Sequence, residues 1–151
     1  MNEELCDFCT FIEDQPLRLS NQSLSCMSLR KCVSQLIINL QPGLIRQCDT
    51  IINDVQEDLM VSTQKEILMR ILDRLMNIVV INSQHNIIHL SAKTVGSITL
   101  MHIRNSHAEY SEEIAEALRD SEHLAESLGG CVTISNNRMY GLSLAFTFLN
   151  R

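Results

Sequence analysis

The sequence predicts an α+β fold: a two-layer α/β sandwich in which a mixed, mostly antiparallel sheet carries helices on one face. Three observations predict it. Apolar residues recur at 3.6-residue spacing over residues 29–41, and again from a cap near Thr63 to about Asn82. Short β-branched runs alternate apolar and polar residues. The elements come in the order strand, helix, strand, helix, hairpin, helix, hairpin, which sets antiparallel strands apart from helices.

Residues 1–22 read as a connecting segment and 23–151 as the folded domain. Ser23-Leu24-Ser25-Cys26-Met27 alternates, as a short edge strand does. Ser28 is a plausible N-cap. Leu29, Cys32, Val33, Leu36, Ile37 and Leu40 then line one helix face, and Pro42-Gly43 is expected to break the helix or begin a second turn. Thr50 to Val55 is short and β-branched, a strand, and Asp58 to Val61 gives a brief extended piece.

Ser62 or Thr63 can cap the next helix, with Glu66 completing a capping box from Thr63. Ile67, Leu68, Ile71, Leu72, Leu75, Met76, Ile78, Val79 and Val80 make most of its circumference apolar. Ile87 to Lys93 and Ser97 to Arg104 are strands joined tightly through Thr94-Val95-Gly96. Glu112 to Leu128 is a helix capped by Ser111, acidic in its first turn and stopped by Gly129. A hairpin closes the chain, turning near Asn136-Asn137-Arg138.

Composition narrows the function. At 151 residues the chain is one domain in length, and 45% hydrophobic residues argue against disorder. The net charge of −6, with no Lys/Arg cluster, argues against nucleic-acid binding. No apolar run is long enough to span a membrane and no signal peptide is evident, so six cysteines read as free thiols of a reducing, cytoplasmic compartment. Direct membrane contact is not expected, although a membrane-anchored parent protein fits as well. Cys6 and Cys9 form C-x-x-C, but Cys26 and Cys32 do not repeat the spacing, so zinc is not expected. Cys48 and Cys131 read as core thiols. His85, His89 and His102 lack an associated acid and read as structural. No nucleophile elbow is present.

The segments SLRKCVSQLIINLQPGLIRQCDTIINDV, LMVSTQKEILMRILDRLMNIVVINS and GSITLMHIRNSH, in this order, resemble the opening elements, the diagnostic helix and the motif strand of a known fold. It is the histidine-kinase-type ATPase (GHKL) domain of two-component sensor histidine kinases, shared with gyrase and related ATPases. The likeness spans about residues 23–150 and is one of pattern. It implies a helix whose Asn reaches magnesium and phosphates, and a strand ending in an Asp-x-Gly-x-Gly turn that holds adenine.

This sequence departs from that pattern. The helix register puts Ile78 at the Asn position. Asn77 lies one residue away, about 100° round the axis, and Asn82 one turn on. Asn105 or Arg104 stands at the Asp position, with Ser106, His107 and Ala108 where glycines are expected. No glycine occurs between Gly96 and Gly129, where the family has its ATP lid. Asn77, Asn82 and Asn105 are therefore the candidate nucleotide-binding residues, and no catalytic residue or metal ligand is assigned. No phospho-accepting histidine box is recognisable.

The resemblance thus implies a degenerate ATPase-like domain of bacterial signal transduction, without a cofactor. It would act through a protein partner: a kinase core, a response regulator or a sigma-type regulator. Two alternatives stay open. One is an active kinase domain that binds ATP and magnesium through an atypical site, and the other is a stand-alone anti-sigma-type regulator. Enzymatic activity is left open with them.

Overall fold

The computed structural model describes residues 24–106, 112–137 and 141–151. Its elements in chain order are β1 (Ser25–Ser28), α1 (Leu29–Gln47), β2 (Thr50–Asn53), β3 (Met60–Thr63), α2 (Lys65–Ile81), β4 (Ile87–Val95), β5 (Ile98–Asn105), α3 (Glu112–Ser127), β6 (Val132–Asn137) and β7 (Gly141–Leu149). The main sheet has the order β2-β4-β5-β7-β6. Its β2–β4 pair is parallel and the other three pairs are antiparallel. The α+β sandwich with a mixed sheet is therefore what forms. The first strand does not join that sheet: β1 pairs with β3 in a separate two-stranded ribbon.

Strand alternation gives the sheet one greasy face. Ile88, Leu90, Met101, Ile103, Leu142, Leu144, Phe146 and Phe148 are buried, and their neighbours in sequence are less so. The rings of Phe146 and Phe148 stack with centroids 5.3 Å apart. The helices cover this face, with α2 in the middle, contacting both α1 and α3. Eight residues of α2 are buried, from Ile67 to Val80, as its nearly continuous apolar pattern requires.

Several boundaries differ from expectation for identifiable reasons. Helix α1 does not stop at Pro42 but runs on to Gln47. Its apolar row extends to Leu44, and Gly43 sits beside Val80 of α2, so tertiary contact outweighs the lost backbone bond. Ser28 does cap it, its hydroxyl accepting from the Lys31 N–H. The capping box at Thr63 does not form, because Thr63 is paired with Ser25 in the ribbon; Gln64 takes the cap position without a side-chain bond. The tight turn between β4 and β5 is Gly96-Ser97, since Val95 still pairs with Ile98. The end of α3 is as expected: the Gly129 N–H reaches the Glu126 carbonyl and the Gly130 N–H the Ala125 carbonyl, a Schellman motif with Gly129 at φ +76°. Ser111, Arg138 and residues 1–22 lie outside the described residues.

Cys48 and Cys131 are exposed, not core thiols. Cys48 occupies the left-handed cap that ends α1, and Cys131 precedes the edge strand β6. Cys32 is buried on α1, and desolvation pushes its thiol pKa up from 9.0. No described helix is long and apolar enough to cross a membrane.

Candidate functional site

Asn105 ends β5 on the inward face of the sheet, between its cross-strand partners Ile88 and Leu142. It is 1% exposed. Its side-chain amide donates to the Ser83 hydroxyl at 2.8 Å, and the Asn86 amide donates to the same hydroxyl at 3.2 Å. The Asn86 N–H donates in turn to Asp49 Oδ1 at 2.9 Å. Asp49, Asn86, Ser83 and Asn105 thus form a buried polar chain. It joins the residue before β2, the α2–β4 loop and the end of β5. Backbone bonds hold it in place: the Thr50 N–H reaches the Asn86 carbonyl, and the His85 N–H reaches the Gln47 carbonyl. Asp49 Oδ2 is buried with no hydrogen-bond partner among the described residues.

The other two asparagines turn back on their own helix. Asn77 Nδ2 donates to the Asp73 carbonyl and Asn82 Nδ2 to the Ile78 carbonyl, each at 2.7 Å. Asn82 is the C-cap of α2 and exposed. Ile78 is half-buried and packed against the core. Asp73, beside Asn77, has a raised pKa through desolvation, opposed by the Asn77 hydrogen bond and by Arg74.

Among the described residues β5 ends at Asn105 and α3 is seen from Glu112. The first turn of α3 then carries Glu112 and Glu113. Those carboxylates already complement the helix dipole, so this helix start repels a further anion. Gly141, at φ +73°, presses against the same end of β5: a Cβ there would lie 2.3 Å from the Asn105 carbonyl oxygen and 2.4 Å from that of Ser106.

A magnesium triphosphate needs donors or carboxylates around its metal and close backbone approach to its phosphates. Ile78 offers no ligand atom, and the Asn77 and Asn82 amide nitrogens donate to carbonyls of their own helix. Among the described residues no group of three His, Cys, Asp or Glu is placed to hold a metal ion. The histidines do not gather: His89 Nδ1 lies 3.4 Å from Asp54, His102 bonds Ser143, and His85 sits in a turn at φ +55°. Cys6, Cys9 and His107 fall outside the described residues.

Sequence reasoning missed Asp49, Ser83 and Asn86. Their only signal is a polar residue at each end of a strongly apolar element. Nothing local says that these ends meet.

No family model matches the chain, and no curated protein matches it. Solved structures do. The chain is similar to the histidine kinase AdeS of Acinetobacter baumannii (TM-score 0.76, 13% identity, 89% of this chain and 75% of that one). It is similar to the catalytic domain of histidine kinase ThkA in a nucleotide-free form (TM-score 0.71, 13% identity, 85% and 97%). It is also similar to full-length ShkA in complex with AMPPNP (TM-score 0.74, 15% identity, 89% and 34%). Despite such low identity the chain has the fold of a histidine kinase catalytic domain, the ATPase-type α+β sandwich.

Proposed function

We propose that this chain is an ATPase-like domain of two-component signal transduction whose nucleotide site is degenerate, and that it works by contact with another protein in the cytoplasm. The observation that carries the proposal is Ile78. An apolar side chain packs against the core at the helix position where the resemblance expects an amide to reach metal and phosphate. The bond between Asn105 and Ser83 and the acidic first turn of α3 support the same conclusion.

A kinase core or a response regulator is the partner class that the fold suggests. ThkA, one of the proteins of similar fold, has been solved in complex with the response regulator TrrA. ATP is the alternative ligand, in line with the AMPPNP bound to ShkA. Isothermal titration of the protein with ATP and ADP in magnesium tests the proposal. No heat of binding at micromolar ligand is the expected result, and micromolar affinity overturns it.

A further inference from the structure

The helices cover one face of the main sheet, and no described helix lies on the other. Along that open face β4 presents Ile87, His89, Ser91, Lys93 and Val95, β5 presents Ile98, Leu100, His102 and Arg104, and β7 presents Ser143 and Ala145. The face has two properties that set it apart from the rest of the molecule.

First, it is apolar where solvent-facing strands are usually polar. Ile52, Ile87, Val95 and Ile98, four of the nine exposed large hydrophobic residues among those described, lie on it. They fall at its two ends: Ile52 and Ile87 beside His89, and Val95 and Ile98 beside Lys93.

Second, it is basic on a chain of net charge −6. Lys93 and Arg104 are exposed and form no ion pair among the described residues; His89 and His102 lie on the face with them. Asp54, just past β2, faces His89 at this surface. Among the described residues a large group of acids lies on α3, where Glu112, Glu113, Glu116, Asp120, Glu122 and Glu126 are all exposed.

We propose that this open sheet face docks an acidic amphipathic helix of a partner protein, seated across Lys93 and Arg104 with its apolar side on Ile52, Ile87, Val95 and Ile98. A helix laid on a sheet is the ordinary way to cover a half-apolar face. Charge sets the sign of the partner. Two full cations are too few for a nucleic acid, which is held through many phosphate contacts, or for an anionic bilayer, which calls for clusters of about four to eight. The register sets the spacing. Arg104 pairs with His89, and Lys93 lies four residues along β4 from His89, so the two cations stand about 14 Å apart. A helix rising 1.5 Å per residue brings a residue back to nearly the same face after eleven positions, about 16.5 Å, which the long side chains of Lys93 and Arg104 can span from their ~14 Å separation. The inference names the surface used by the protein contact proposed above and rests on that contact. It does not depend on whether ATP binds.

The test is a titration of the isotope-labelled protein with a synthetic amphipathic helix bearing glutamates eleven residues apart on one face, and with its lysine-substituted counterpart, read by backbone amide shifts. The expected result is that the glutamate peptide alone binds, that shifts concentrate in β4, β5 and β7 at outward residues such as Ser91, Leu100 and Ala145, and that added salt weakens it. The double variant Lys93→Glu/Arg104→Glu then loses about tenfold in affinity, the loss of two exposed ion pairs. The milder Lys93→Gln/Arg104→Gln lies between, which separates charge from misfolding. Shifts confined to the helices, equal binding of the lysine peptide, or unchanged binding by the folded double variant overturns the surface assignment. A wild-type dimer in sedimentation that the double variant abolishes makes a second copy the occupant, and overturns the hetero-partner. A protein that binds neither peptide but binds micromolar ATP overturns the protein-contact reading together with this one.

Discussion

The amide of Asn105 donates to the hydroxyl of Ser83 at 2.8 Å, and both residues are buried. The bond ties the end of the motif strand β5 to the loop that follows α2. An asparagine at this position therefore holds two elements together within the chain.

Replacing Ser83 with Ala tests that tie. Ser83 accepts from both Asn86 and Asn105, so the change removes one acceptor from two buried donors. The expected cost is about 1–3 kcal/mol. A urea melt measures it. A loss within ~0.3 kcal/mol would show that the buried chain carries no stability.

Gly141 and Gly96 make a matched pair. Both have positive φ, but a Cβ at Gly141 runs into the carbonyls of Asn105 and Ser106, whereas a Cβ at Gly96 meets nothing within 4 Å. Gly96→Ala should cost about 1–2 kcal/mol, the conformational penalty alone. Gly141→Ala adds displacement of the backbone and should cost more than about 3 kcal/mol. Thermal unfolding of the two variants side by side gives the comparison.

Acid should act on stability through His102. Burial lowers its pKa below 6.5, and Arg104 lowers it further. Between the folded pKa and 6.5 the unfolded chain binds a proton that the folded chain does not. Stability held above pH 6.5 is accordingly lost as the pH falls through that window. Asp73, whose pKa is raised, works in the opposite direction from 3.8 upward. Comparing wild type with His102→Gln at each pH cancels the Asp73 contribution. The wild type should lose more stability than the variant between pH 7.5 and 5.5, and parallel curves would remove His102 from the account.

Nucleotide should leave the melting temperature unchanged. A ligand at 100 times its dissociation constant stabilises by about 2.7 kcal/mol, which is several degrees for a domain of this size. A melt with and without millimolar magnesium ATP is expected to superimpose. A rise that Asn105→Ala abolishes would establish an atypical but working site.

Much of this fold is legible in the sequence because local pattern and global fold agree. The apolar row of α2, the alternation of β4, β5 and β7, and the Gly129 stop each follow from residues close together in the chain. The failures are places where distant residues decide. Pro42 reads as a breaker until Val80 is seen beside Gly43, and Thr63 reads as a cap until Ser25 pairs with it. At the candidate site the asparagines could be named, but not what their amides hold. The hydroxyl that Asn105 reaches, that of Ser83, comes from a loop 22 residues earlier, which no local period encodes.

The ribbon β1–β3 is fastened from the far end of the chain. Asn150 Oδ1 accepts from the Ser62 N–H at 2.7 Å across 88 residues of sequence, and the Arg151 N–H reaches the Ser62 carbonyl at 2.8 Å. A contact that spans so much chain demands that a long loop close before it gives anything back, which slows folding more than it weakens the product. During synthesis β1 and β3 can zip together early, but their clasp waits for residues that the ribosome delivers almost ninety positions later.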